Sequence, residues 1–372
     1  QGIAPAGDVD GDGLADLLAA SSKAGDSEHG AVYLLLSGDS SGWSWGQDVA
    51  SAAAVVVSGT TAKDRLGEGI HASDLDGDGL IDLALGAPYE DTAASAAGAV
   101  GVFYGPVSGS LSWSDADAQI TGDASSDRLG GNCIRSIGDV DGDGTADLLI
   151  GAQKMDGGDS DSGVAFVLDP SSLTTGSATS QATLRIEGEA EGDDFGISGL
   201  GLGDLDGDGS DEFLVGARFA DVRVVDAGGV YFFFGDSAMS GTLDASASDA
   251  ALGSSGADDR LGWDMAAGDM DGDGWLEWTT GAYTDTLSGS TSAGRSYLSL
   301  TTGYDTWGWG DNLTTVNQAR FDGNKSNMLS GRSNAIVQDL DGDGYGEWAV
   351  SAEGRDRGSK KRAGFVYILT GP

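Results

Sequence analysis

The chain contains one cysteine, Cys133, in 372 residues, so no disulfide can form within it. With only two histidines, His29 and His71, it also lacks a Cys/His ligand set for zinc. Prolines number five, and no run of 18 apolar residues occurs, so a helical membrane span is not expected. Basic residues are scarce: 19 Lys and Arg stand against 60 Asp and Glu, a net charge of −41. A surface of that sign repels nucleic acid and anionic membranes. There is no phosphate loop, no Ser/His/Asp set and no carboxylate pair outside one repeated motif, so no catalytic residue is expected. Helix signals are almost absent. No signal peptide or lipidation motif is present, which reads as a mature or trimmed ectodomain.

Glycine, at 64 residues, and Asp are plentiful, and both concentrate in that motif. Asp-x-Asp-Gly-Asp-Gly-x-x-(Asp/Glu) occurs six times, with first residues spaced 66, 65, 65, 65 and 70 apart. The first copy supplies Asp8, Asp10, Asp12, Leu14 and Asp16, and the second Asp74, Asp76, Asp78, Leu80 and Asp82. The third supplies Asp139, Asp141, Asp143, Thr145 and Asp147, and the fourth Asp204, Asp206, Asp208, Ser210 and Glu212. The fifth supplies Asp269, Asp271, Asp273, Trp275 and Glu277, and the sixth Asp339, Asp341, Asp343, Tyr345 and Glu347.

Carboxylates thus stand at positions 1, 3, 5 and 9, and position 7 offers a backbone carbonyl. Calcium takes about 6–8 hard oxygen ligands, and these residues are such a set. Glycine at position 6 tolerates the turn that aims the next carbonyl inward. Magnesium prefers a small octahedral shell that retains water. The expected cofactor is therefore Ca2+, about six ions, one per repeat. An EF-hand needs a bidentate Glu at position 12, where this chain has Ala19, Leu85, Ile150, Val215, Thr280 and Val350. The stretch after each motif is short and apolar, as in Leu148-Leu149-Ile150-Gly151, which reads as a strand. The loop is expected to join two β-strands. Such loops fill best at millimolar calcium, which points outside the cell.

A fixed long period means one structural unit repeated. In the second period, strands are expected over Leu66 to Ser73, Leu83 to Gly86, Gly98 to Tyr104 and Ala118 to Gly122. Four short antiparallel strands per period predict a propeller blade. The expected fold is all-β: a single domain over 1–372, a six-bladed β-propeller. Its repeats are about 1–65, 66–128, 129–194, 195–260, 261–328 and 329–372. Repeat six stops after its third strand. A three-strand last blade, a fragment, and completion by another molecule through β-augmentation all stay open.

The chain resembles the FG-GAP repeat family, the blade of the integrin alpha-subunit β-propeller. The Phe-Gly lead-in appears as Leu66-Gly67, Leu129-Gly130, Phe195-Gly196 and Leu261-Gly262. Gly-Ala-Pro appears in full as Gly86-Ala87-Pro88. The resemblance implies calcium sites on the lower propeller face and ligands on the upper. Integrin heads have seven blades, only some carrying calcium, whereas all six periods here carry the motif. The resulting expectation is a non-enzymatic, extracellular or cell-surface, calcium-stabilised module that binds protein or glycan ligands in adhesion. Two alternatives are a surface-polymer subunit joined through the sixth blade, and a lectin.

The lectin reading draws on Trp43, Trp45, Trp113, Trp307 and Trp309, which otherwise pack the outer blades. Arg355, Arg357, Lys360, Lys361 and Arg362 form a basic cluster that either docks an acidic partner or neutralises neighbouring acids. Arg65, Arg128 and Arg260 recur once per repeat and are expected in inter-blade ion pairs.

Overall fold

The computed structural model describes residues 2–38, 44, 46–287, 289–301, 304–337, 339–356 and 362–370. Its 27 strands form six sheets, one per motif copy, arranged as a six-bladed propeller ring. Blade 1 holds β1 (Ile3–Gly7), β2 (Asp16–Ser21), β3 (Ala31–Leu35) and β4 (Val55–Ser58). Blade 2 holds β5 (Ile70–Ser73), β6 (Asp82–Ala87), β7 (Ala99–Phe103) and, after β8 (Gly109–Ser112), β9 (Ala118–Thr121). Blade 3 holds β10 (Ile134–Gly138), β11 (Asp147–Ala152), β12 (Val164–Leu168) and, after β13 (Gly176–Ser177), β14 (Leu184–Glu187). Blade 4 holds β15 (Phe195–Gly203), β16 (Glu212–Ala217), β17 (Gly229–Phe233) and, after β18 (Gly241–Asp244), β19 (Ala250–Gly253). Blade 5 holds β20 (Leu261–Gly268), β21 (Glu277–Ala282), β22 (Arg295–Leu300) and, after β23 (Asp311–Asn312), β24 (Ala319–Asp322). Blade 6 holds β25 (Ser330–Val337), β26 (Glu347–Ala352) and β27 (Val366–Leu369).

Each blade is antiparallel, with its first strand innermost. The blades are not purely four-stranded, however. The strand between the third and fourth of one blade crosses to the blade before it and pairs in parallel: β8 with β4, β13 with β9, β18 with β14, and β23 with β19. Blades 1 to 4 are therefore five-stranded, and the crossing strand covers an edge that would otherwise present unpaired N–H and C=O groups. Among the described residues, blade 6 has three strands, and Val366 and Ile368 on β27 are 66% and 54% exposed.

Alternation along a strand sends successive side chains to opposite faces. On β11, Leu148 and Ile150 pack toward blade 2 with Val100, Val102 and Ile120. Leu149, between them, packs toward blade 4 with Phe213 and Val215. Both faces are buried, so the strand reads as an unbroken apolar run. Five such clusters fill the five successive inter-blade interfaces. Blades are also clamped backbone to backbone. The third strand of each of blades 1 to 5 is preceded by a glycine that forms a parallel bridge to the next blade's lead-in, as Gly98 does to Leu129 and Gly163 to Phe195. Gly98 has φ of 77°, and a Cβ there would fall 2.5 Å from the Leu129 nitrogen. The lead-in Leu66 therefore makes an isolated bridge to Gly30, and the strand proper starts at Ile70.

Leu149→Ala opens a cavity shared by two blades that cannot collapse independently. It is expected to cost about 2–5 kcal/mol, read as a lowered denaturation midpoint with unchanged urea dependence.

Candidate metal loops and axial channel

The six motif loops connect the first and second strands, so antiparallel order puts them all on one rim. The connections between third and fourth strands return to that same rim. Hydrogen bonds join the two sets: Gly105 N–H donates to Asp82 Oδ1 at 2.6 Å, and Ser37 N–H to Asp16 Oδ1 at 2.8 Å. None of the 19 Lys and Arg lies in the motif loops or in 36–54, 104–117, 169–183, 234–249 or 301–318. This lower rim has acids but no fixed cation, a field that concentrates divalent ions.

The loops fold by nearly the same bonds, the one from the position-4 glycine occurring in four of the six. In the second copy, Asp74 accepts from Gly77 N–H and Gly79 N–H, both at 2.9 Å. Asp76 Oδ1 accepts from Asp78 N–H at 3.1 Å, and Asp78 Oδ1 from Leu80 N–H at 2.8 Å. Gly77 and Gly79 have φ of 78° and 88° with open space where a Cβ would sit, so backbone conformation, not crowding, demands glycine. The ninth acid behaves differently from the other three. It starts the second strand, is buried in every copy, and accepts from the second residue's amide, as Asp82 Oδ2 does from Leu75 N–H at 2.8 Å.

Carboxylate oxygens within 4.8 Å of one another come from Asp339, Asp341, Asp343 and Glu347 in the sixth loop. In the first three loops they come from positions 1, 3 and 9: Asp8, Asp10, Asp16; Asp74, Asp76, Asp82; Asp139, Asp141, Asp147. In the fourth they come from Asp204, Asp206 and Asp208. Asp12, Asp78, Asp143 and Glu212 therefore stand outside these tightest groups. The seventh-position residues Leu14, Leu80 and Trp275 have exposed side chains, and their amides bind the fifth acid, as Trp275 N–H does to Asp273 at 2.8 Å.

The donor set suits a hard cation. Glu212 Oε1 and Glu347 Oε1 are buried without a hydrogen-bond partner, although the other oxygen of each accepts a backbone N–H. Burial pushes the Asp147 and Glu212 carboxyls up to about 7, and neighbouring loop acids add to this. Burial likewise raises Asp82 and Glu277. Acids held this close favour a positive charge among them.

The opposite rim is built from arginine and aromatic rings. Arg65 and Arg128 stack on Tyr89 at 4.6 and 5.2 Å. Arg218 lies 4.7 Å from Phe219 and 4.5 Å from Trp263; Arg332 lies 5.4 Å from Trp263. Of the three recurring arginines, only Arg65 makes the expected inter-blade ion pair, to Glu28 at 3.5 Å, among the described residues. Arg128 and Arg260 lie over ring faces instead, Arg128 over Tyr89 and Arg260 over Phe219 and Tyr283, where the ring quadrupole attracts the cation. Arg355 stacks on Phe365 at 4.5 Å, and Arg362 N–H donates to Asp356. Arg357, Lys360 and Lys361 lie outside the described residues, as do Trp43 and Trp45. Trp113 is buried, Trp307 packs on Phe232 and Trp278, and the Trp309 N–H donates to the Ser248 carbonyl at 2.9 Å. These three tryptophans serve packing.

The first strands enclose an axial channel of about 440 Å3. Its His71 and Arg135 carry no motif in the sequence; only their place on a first strand marks them. His71 Nε2 accepts from Ser136 N–H of the next blade at 3.1 Å, which needs a neutral ring. Burial, with repulsion from Arg135, pushes His71 down to about 3.

The molecule is thus a repeat β-propeller with an acidic loop in every blade, and parts of it are similar to known proteins. Residues 66–103 match the family model described as FG-GAP repeat. Integrin alpha-5 of Xenopus laevis is 33% identical over 171 residues, 45% of this chain and 16% of that protein. Integrin alpha-7 of Rattus norvegicus is 33% identical over 165 residues, 44% of this chain and 14% of that protein. Integrin alpha-4 of Xenopus laevis is 30% identical over 162 residues, 43% of this chain and 15% of that protein. The chain is a β-propeller similar to integrin alpha subunits over somewhat under half of its length, with one stretch that matches the FG-GAP repeat, and the match spans about a sixth or less of these relatives. A solved structure of BBS1N in complex with ARL6DN aligns over 99% of this chain and 80% of its own, with a TM-score of 0.46 and 11% identity, too loose to bear on fold or function.

Because His71 is neutral when folded and titrates near 6.5 when unfolded, its contribution is complete above 6.5 and is lost as pH falls toward 3. His71→Gln keeps an acceptor without titrating. Its stability relative to the parent is expected to improve by up to ~1 kcal/mol per pH unit between pH 6 and 4, the channel's water screening part of the effect. Parallel urea titrations of both proteins at each pH read the difference.

Proposed function

We propose that this chain is a calcium-stabilised, non-enzymatic, extracellular adhesion module that holds calcium in the lower-rim loops and engages a protein ligand on the upper face. The observation that carries this reading is the sixfold repetition of one acid loop on a rim without Lys or Arg, in a chain similar to integrin alpha subunits. In each loop the acids at positions 1, 3, 5 and 9, with the seventh carbonyl, would hold the ion. Calcium, when bound, supplies charge that cancels acid repulsion and rigidifies the turn between the inner strands. The ninth acid passes that rigidity into the sheet, since it belongs to the second strand. Among the described residues no helix is long and apolar enough to cross a membrane.

Self-association is the second reading, favoured by the exposed Val366 and Ile368 on β27. Sedimentation in millimolar calcium separates the two readings: a mass of one chain removes self-association, and a ladder of masses supports it.

Chelation is expected to lower the melting temperature by roughly 10 °C, since six sites at tenfold their Kd contribute ~1.4 kcal/mol each. An unchanged melting curve in EDTA would overturn the calcium reading. Asp76→Ala should remove one ion from the calorimetric stoichiometry and lower the melting temperature by roughly 2 °C while the fold persists. Unaltered stoichiometry would reject Asp76 as a ligand.

A further inference from the structure

The axial channel has a tier to which each blade contributes one residue. These are Ala4, His71, Arg135, Leu200, Ala266 and Ala335, all at the same register on their first strands, opposite the second residue after the ninth acid. Four are apolar, and His71 is neutral because its Nε2 accepts from Ser136 N–H. Arg135 is the charge in this tier. Above it the channel opens into a cavity of about 380 Å3 on the upper face, bordered by Ser198, Trp263, Asp264, Arg332 and Glu353. Arg135 borders both spaces.

Arg135 is half-buried, and its Nη1 donates to the Ile134 carbonyl at 2.9 Å. Among the described residues it has no ion pair. A guanidinium carries five N–H donors in a fixed fork, and a half-buried guanidinium whose fork closes no ion pair is unfavourable. Asp264 attracts Arg135 across the channel without closing an ion pair with it, and the hydrogen bonds of the nearby carboxylates go to other groups. Glu353 accepts from Arg332, and Asp264 Oδ2 accepts from Asn334 N–H at 2.7 Å. Leu200, Ala266 and Ala335 present small apolar walls around the remaining space.

We propose that the axial channel is a carboxylate-binding site, with Arg135 as the bidentate fork and the apolar tier receiving a short aliphatic stem. A planar carboxylate matches the guanidinium fork in geometry and charge. Asp264 and Glu353 at the entrance repel a multiply charged anion more strongly than a singly charged one. The space lies within the about 300–1,000 Å3 usual for small-ligand sites. The ligand is a short aliphatic monocarboxylate or the Asp or Glu side chain of a protein partner. The site is independent of the adhesion reading, because free carboxylates test it without a partner.

The test titrates the calcium-loaded protein with sodium valerate, with its neutral isostere valeramide, and with N-acetyl-Gly-Glu-Gly-amide, followed by amide NMR shifts. Saturable shifts at Arg135 and Ser198 are expected with valerate or the peptide, and none with valeramide. Binding of the peptide alone assigns the site to an acidic side chain; binding of valerate admits free carboxylates. Arg135→Met should weaken binding roughly tenfold or more, and Arg135→Lys, which keeps charge but loses the fork, should fall between. Melting curves confirm that both variants fold; if Arg135→Met does not, the lysine variant and the valeramide comparison decide. No saturable shift with either carboxylate, equal binding of valeramide, or unweakened binding by a folded Arg135 variant would overturn the proposal.

Discussion

The sheets of blades 2 to 5 have two apolar faces, and neither is stable in water by itself. A strand such as β11 sends Leu148 and Ile150 to one neighbour and Leu149 to the other, so each of blades 2 to 5 is a filling between two others. This mutual burial sets the rest of the architecture. It makes the blades radial, puts the first strands at the axis and fixes which turns share a rim. Glycines such as Gly98 and Gly163 let neighbouring backbones approach where any side chain would hold them apart. The crossing strands β8, β13, β18 and β23 then bind the outer edges of blades 1 to 4 to the following blade by ladder hydrogen bonds.

The ninth acid of each loop links this packing to the acidic rim. It starts the second strand, is buried at the sheet edge and is held by backbone amides from its own loop and, in blades 1 and 2, from the connection beside it. A carboxylate in that position costs desolvation, visible in the upward shifts at Asp147 and Glu212. The three preceding acids stand close by and more exposed. Anything that neutralises the group acts on the sheet as well as on the loop. The exclusion of Lys and Arg from the whole lower rim leaves internal neutralisation there to protons or bound cations.

The upper rim follows different chemistry. Its arginines are held on Tyr89, Phe219, Trp263, Tyr283 and Phe365, a mode that keeps a guanidinium charged and partly hydrated while its plane is packed. Asp194, fully buried, receives both Lys154 and Arg218 and ties blade 3 to blade 4. One face of the ring is therefore a uniform acidic collar, and the other is a mosaic of paired charge and aromatic surface.

The repeat, the glycine turn of each loop and the order of strands were legible in the sequence because they are local. The glycines of each loop and the acids around them fold within nine residues, and the alternation of each strand is written in that strand. The sixfold period then implied one unit repeated and, with four strands per unit, a propeller. Contacts between blades were not legible. Arg128 had an aromatic face at Tyr89 in place of the expected carboxylate, and the parallel partners of β4, β9, β14 and β19 were hidden in polar connections without strand alternation. Arg135 and His71 looked like ordinary strand residues. Only closing the blades around an axis puts them in one tier, because residues a full period apart become neighbours through sheet packing, which no short stretch of sequence encodes.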